Sequence, residues 1–292
     1  MSATEQTLCP SFCLGDKNSD LLILLAGFPD NETSSWGAAN LDELAKKHRL
    51  ICLCLPGYDK PTTDGAIRSW GWDLPEVSDI IHNTIEKLLE DEVQDKYTLL
   101  CHDWGAFFGM VHQNKHPERI KKIVLFDIGV VKKPPVLDAL RIVFYQWWFA
   151  AAFVVSQLSP TGFFRWAGDL LMIVFKVFFS WNIIAPTNET VPRPVMETTS
   201  RMCYPYFYFW FGKSGYLRLG AKKMMRPKEP QCPVLFFYGT AKNVMFHGES
   251  FVEGLLARKD GSVVKPMENA GHWMLNTKEN AAIVLQTLKE FL

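Results

Sequence analysis

The sequence predicts an α/β protein in which a mostly parallel, helix-covered sheet is interrupted by a helical insertion. Three observations carry this. Short apolar runs alternate with amphipathic helical stretches; that rhythm stops near Val131 and resumes near residue 226; and small residues flank an aspartate where one apolar run turns into a helix. Strands that are apolar throughout, separated by helices, belong to parallel sheets buried on both faces.

Taken in order, "LLILLAGFPD" is a buried strand closed by Gly-Phe-Pro-Asp, and "SWGAANLDELAKKH" reads as a helix. "RLICLCLPGY" is a second strand ended by Pro-Gly, and "LPEVSDIIHNTIEKLLEDE" carries apolar residues at helical steps of three and four. "KYTLLC", "WGAFFGMVHQNKH" and "IKKIVLFDI" follow as strand, helix and strand. From Val131 to Met225 only helices are expected, dense in aromatics. "CPVLFFYG" and "SVVKPMENA" then restore the strand pattern, and "TKENAAIVLQTLKEFL" closes the chain as a helix. The organisation expected is a core of residues 1–130 and 226–292 with an inserted cap at 131–225. There is no internal repeat.

Composition narrows the function. The 292 residues are 48% hydrophobic with zero formal net charge, so neither a nucleic-acid-binding block nor an acidic disordered tail is present. Seven cysteines, several inside apolar runs, indicate a reducing compartment without a disulfide framework. The start "MSATEQTLCP" lacks the layout of a secretory signal, so a cytoplasmic location is expected and the sequons at Asn31 and Asn188 are read as chance.

The chemistry is expected around "LLCHDWGAFFG". In an open parallel sheet it gathers at the C-terminal strand ends, where Asp103 stands between Cys101 and Gly105. A sharp strand-turn-helix that presents a nucleophile needs small residues at those two positions, and the next amide, of Trp104, can serve an anion hole. Helix N-capping is the alternative use of such an aspartate. "NAGHWM" places His272 after the last strand, whereas His102 must point away from Asp103 and His247 is a weaker candidate.

"AGFPD", "PGY", "HDWGA", the helical insertion and "GHW" together resemble the α/β-hydrolase superfamily, in its epoxide-hydrolase and haloalkane-dehalogenase branch. The resemblance spans nearly the whole chain. "HDWG" separates this branch from serine esterases, and no G-x-S-x-G occurs. The resemblance implies that Asp103 forms a covalent alkyl ester, that His272 activates the hydrolytic water, and that the amides of Phe28 and Trp104 stabilise the oxyanion. It implies no cofactor and no metal.

Two positions depart from the family pattern. Ala26 replaces a usual histidine, and Lys242 stands where an acid is expected about three residues past Gly239. Some members carry the acid after the strand that follows the elbow helix. Asp127, twenty-four residues beyond Asp103, matches that place and is expected to orient His272.

The cap selects the substrate. Epoxide opening uses phenol donors, and "VFYQWWF" with "MCYPYFYFWF" supplies Tyr145 and, for the second, Tyr204, with Tyr206 and Tyr208 in the same segment. Phe28, where many dehalogenases have Asn, leans the same way, whereas Trp147 and Trp148 keep dehalogenation open. Ile142 to Phe164 contains no charged residue. Its glutamines, serines, Pro160 and Gly162 argue against a membrane span and for a lipophilic pocket, with peripheral membrane contact or dimerisation through the cap surface as further expectations; the chain is read as a monomer or homodimer. The expectation is hydrolysis of a lipophilic epoxide to a vicinal diol. The alternatives are a haloalkane dehalogenase with the same Asp-His machinery and a non-catalytic ligand-binding relative.

Overall fold

A computed structural model describes residues 8–59, 67–132, 134–158, 162–179, 197–217 and 225–292. The Asn188 sequon lies outside them. Seven strands form one sheet: β1 (Ser11–Leu14), β2 (Asp20–Leu25), β3 (His48–Leu53), β4 (Tyr97–His102), β5 (Ile120–Phe126), β6 (Val234–Gly239) and β7 (Val263–Met267). Their order is β1-β3-β2-β4-β5-β6-β7, and every pairing is parallel except β1 with β3.

Strand alternation sorts the core into two layers. Ile23, Ile51, Leu99, Cys101, Ile123, Leu125 and Phe236 join one cluster; Leu24, Cys52, Leu100, Val124, Phe126 and Phe237 join the other. Helices α2 (Leu74–Leu89) and α3 (Trp104–Lys115) cover the first layer, and α1 (Ala38–Ala45) belongs to the second. The α2 start is set by Asp73, whose side chain accepts from the Leu74 amide, with Pro75 in the first turn.

Between β5 and β6 the described residues form only helices, with 3₁₀ turns and loops: α4 (Val136–Gln157), α5 (Gly162–Phe178) and α6 (Tyr204–Phe211). Two more, α7 (Glu249–Leu256) and α8 (Lys278–Phe291), complete the core. α4 and α5 pack through Phe149 against Phe175, with ring centroids 4.6 Å apart, and the Trp148 indole donates to the Leu171 carbonyl at 2.9 Å. Phe149 also meets Phe28 at 5.4 Å, which seats the helices over the loop after β2.

α4 is long and apolar enough to cross a bilayer by length and composition. Tyr145, Phe149, Ala152 and Phe153 turn inward, whereas Val136, Leu137, Leu140, Phe144 and Trp147 are exposed at helical spacing.

Candidate active site

Four parallel strands deliver four polar side chains to one edge of the sheet: Asp103 follows β4, Asp127 follows β5, Lys242 follows β6 and His272 follows β7. Asp103 has φ 54° and ψ −129°, left-handed backbone that a non-glycine residue adopts under strain. Tight packing imposes it. A Cβ on Gly105 would fall 2.0 Å from the Leu25 carbonyl oxygen, so only glycine lets α3 approach β2 this closely. The Asp103 side chain makes no capping bond to its own helix.

That carboxylate faces the site instead. The Phe28 amide donates to Asp103 Oδ1 at 2.6 Å, and His272 Nε2 lies 3.4 Å from Asp103 Oδ2. The Trp104 amide is beside them: a Cβ on Gly27 would sit 2.4 Å from Trp104 N and 2.7 Å from Asp103 Oδ1. Ala26 is fully buried and brings no side-chain donor, yet the Phe28 amide still reaches the carboxylate.

His272 Nδ1 donates to Asp127 Oδ2 at 2.6 Å. Asp127 is itself fully buried and accepts from Lys242 Nζ at 2.7 Å and from the Gly239 amide at 3.3 Å, both through Oδ1. Burial works against its charge, but Lys242 and His272 outweigh it and hold the carboxyl at about 2. Burial likewise disfavours the imidazolium of His272. Asp103, 3.4 Å away, and Asp127, hydrogen-bonded to it, reverse the balance and lift it to about 10. In the resting site His272 is a cation between two carboxylates.

A second network holds the histidine loop. His102 Nε2 donates to the His272 carbonyl at 3.0 Å, and its Nδ1 lies 3.2 Å from Ser35 Oγ. Ser35 and the Trp273 indole both donate to Asp30 Oδ2, at 2.7 and 2.9 Å. Sequence reasoning passed over Asp30 and Ser35; the one signal was that Asp30 ends the "AGFPD" run.

The structure separates the tyrosines that the sequence grouped together. Tyr145 lies in the site, its ring 6.0 Å from Phe246, which in turn meets His272 at 5.8 Å. Tyr206, rather than Tyr204, packs against the Tyr145 ring, 6.0 Å away. Tyr206 packs edge-on against Trp104 and Phe28, with ring centroids 5.3 and 5.2 Å away. Tyr204 is buried against Tyr58 and Trp72, and its hydroxyl donates to the Pro56 carbonyl at 3.3 Å. Tyr208 donates to the Trp70 carbonyl at 2.8 Å. Burial foremost, with the charge of Asp103, raises the pKa of both Tyr145 and Tyr206, so both hydroxyls keep their protons.

With an aspartate at a strand-to-helix elbow, a backbone amide on one oxygen, and near the other a histidine bonded to a buried acid, the site can hold a carboxylate ready to attack and a group able to move a proton. The sequence profile of the alpha/beta hydrolase family matches residues 22–285. The chain belongs to the alpha/beta hydrolase family.

Epoxide hydrolase 1 of Caenorhabditis elegans is 23% identical over 290 residues, which cover 95% of this chain and 66% of that one. The chain therefore spans just under two thirds of that relative. Among solved structures, an esterase from Thermogutta terrifontis matches with a TM-score of 0.64 at 14% identity, over 99% of this chain and 94% of that one. A Bacillus megaterium epoxide hydrolase, solved with an inhibitor, matches with a TM-score of 0.60 at 19% identity, over 97% and 96%. An esterase and an epoxide hydrolase both share the fold, so the fold does not choose the reaction. The site's own residues must.

Proposed function

We propose that the chain hydrolyses a lipophilic epoxide to a vicinal diol through an ester on Asp103. The observation that carries this is the pair of protonated phenols, Tyr145 and Tyr206, beside a carboxylate nucleophile. An epoxide needs that combination: a carboxylate to attack carbon, and donors for the ring oxygen as it gains charge.

In the first step an Asp103 oxygen attacks a ring carbon, the carbon–oxygen bond breaks, and the alkoxide forms against the phenols. In the second step His272 Nε2, having given its own proton to the alkoxide, takes one from water, and the hydroxide adds to Asp103 Cγ. The negative charge then sits on the oxygen that the Phe28 amide already holds, with the Trp104 amide adjacent. Collapse releases the diol and restores Asp103 with one oxygen from water.

The haloalkane reading is disfavoured by where the two α4 indoles sit. A halide leaving from Asp103 needs N–H donors, but Trp148 donates to the Leu171 carbonyl at 2.9 Å and Trp147 is exposed. A purely ligand-binding role is disfavoured by the complete chain of contacts from Asp127 through His272 to Asp103.

Phe28, Trp104, Phe149 and Phe246 surround the carboxylate with apolar surface, which supports a lipophilic substrate. Such a substrate partitions into membranes. The exposed face of α4, on a segment (131–225) with eleven lysines and arginines against four acids, supports peripheral contact with an anionic lipid surface.

The test is a His272→Gln variant exposed to an aryl epoxide and to a haloalkane. The expected result is a mass increase on the peptide carrying Asp103 with the epoxide. An unmodified peptide under both conditions excludes the ester mechanism, and modification by the haloalkane alone moves the activity to dehalogenation.

A further inference from the structure

Lys242 occupies the strand end where an acid would be expected, and it is not a passive replacement. Its side chain is fully shielded from solvent, as is that of Asp127, and its ammonium binds Asp127 Oδ1 at 2.7 Å while His272 binds Oδ2 at 2.6 Å. The aromatic face of Phe246 lies 5.3 Å from the ammonium. A buried lysine beside an acid that already has a histidine partner changes the charge count of the whole site.

We propose that Lys242 is a positioning residue that makes His272 surrender its proton when Asp103 is esterified, and so prepares the base for the second step. The inference rests on the ester mechanism above.

The charged groups that face one another here are Lys242, Asp127, His272 and Asp103. His102, 4.5 Å from the His272 ring, and His247, behind Lys242, are kept neutral, chiefly by burial. Tyr145 and Tyr206 are protonated. At rest, two cations balance two anions along the chain from Lys242 to Asp103; Asp30 is a further buried carboxylate behind His102, held by Ser35 and the Trp273 indole, and the reaction leaves it unchanged. Esterification removes the charge of Asp103. Lys242 and Asp127 then balance each other, and a proton left on His272 is an unmatched charge in a dry site, which burial penalises heavily.

The ring-opened alkoxide needs one proton, and His272 holds one to give. The transfer, relayed by a phenol, leaves a neutral alcohol and a neutral imidazole. Water then loses its proton to that imidazole as the ester is cleaved, and the cycle closes on carboxylate and imidazolium. Without Lys242 the balance is different. Asp127 alone would match a protonated His272, the proton would stay, and the alkoxide would draw its proton from solvent. The base for the second step would then be blocked at neutral pH.

The test compares wild type, Lys242→Met and Lys242→Arg in single turnovers of styrene oxide. Ester formation and ester hydrolysis are followed separately by quenching and mass spectrometry across pH, and proton uptake is followed with an indicator dye. In Lys242→Met the pH profile of ester hydrolysis should move up by about one unit or more, which slows hydrolysis about tenfold or more at pH 7. Ester should accumulate, and one proton should be taken up per ester formed. Lys242→Arg should restore the wild-type profile.

Lys242→Gln serves if the Met variant does not fold, since the loss of charge is the cause. The wild type also tests the idea by itself: it should form ester with no net proton uptake, and uptake of one proton per ester overturns the proposal. A uniform loss of rate with an unmoved pH profile overturns it as well and leaves Lys242 a structural support. Absence of any ester in the wild type would instead sink the mechanism on which the inference stands.

Discussion

Tyr206 stands edge to face against Tyr145, ring centroids 6.0 Å apart and planes at 80°, with the Trp104 ring edge-on to Tyr206 at 5.3 Å. The two phenols come from two separate helices, and in the proposed mechanism they act as one donor pair. Losing a single oxyanion donor typically costs about 2.7–4 kcal/mol. With two sharing the charge, Tyr145→Phe and Tyr206→Phe should each slow epoxide opening about tenfold to a hundredfold, or about 1.4–2.7 kcal/mol. Tyr204→Phe should leave the rate nearly unchanged, because its hydroxyl serves the Pro56 carbonyl. Pre-steady-state alkylation rates decide between them.

Asp127→Asn should separate the two half-reactions. Ester formation uses Asp103 directly and should change little. Ester hydrolysis depends on the tautomer and charge of His272 and should fall about 10³–10⁴-fold, the scale for an amide in this role. Ester accumulation in the variant, followed by quenched mass spectrometry, is the readout. Equal losses in both steps would place Asp127 outside this function.

Stability should fall on the alkaline side. The pKa of His272 is raised from 6.5 to about 10 by its carboxylate partners. Its contribution is therefore complete below about pH 6.5 and disappears as pH climbs through about 10. Urea midpoints should decline between pH 7 and 10 in the wild type, and His272→Gln should flatten that decline.

Trp147 and Trp166 are exposed on α4 and α5. Their fluorescence should shift to the blue on vesicles containing phosphatidylserine, and less on phosphatidylcholine alone. Leu140→Asp, on the same α4 face, should weaken the shift. Emission indifferent to both vesicles would remove membrane contact from the account.

Much of this was legible because apolar runs and small residues report directly on backbone geometry. The strand ends at Asp103 and Asp127 could be placed from "LLCHDWG" and "IVLFDIG", since a buried strand must stop where the polar residues begin. Rotation about a short helix was not legible. Tyr204 and Tyr208 do share a face of α6, as their spacing requires, but that face looks toward Pro56 and Trp70. Tyr206, about half a turn round, looks toward Trp104. Tertiary packing sets that rotation, and spacing is silent on it. The edge strand Ser11–Leu14 also escaped, being four residues without a buried run. Lys242 could be located but its partner could not, because the family pattern expects an acid there and so offers no partner for a cation.

The uncapped start of α3 has a consequence for the evolution of the chain. A side chain that capped this helix would contribute about 1 kcal/mol, and glycine at position 103 would hold the same backbone without strain. The native aspartate does neither. In the proposed mechanism, substitutions that drift toward greater robustness at this turn therefore drift away from chemistry, and selection on activity is what keeps an acid there.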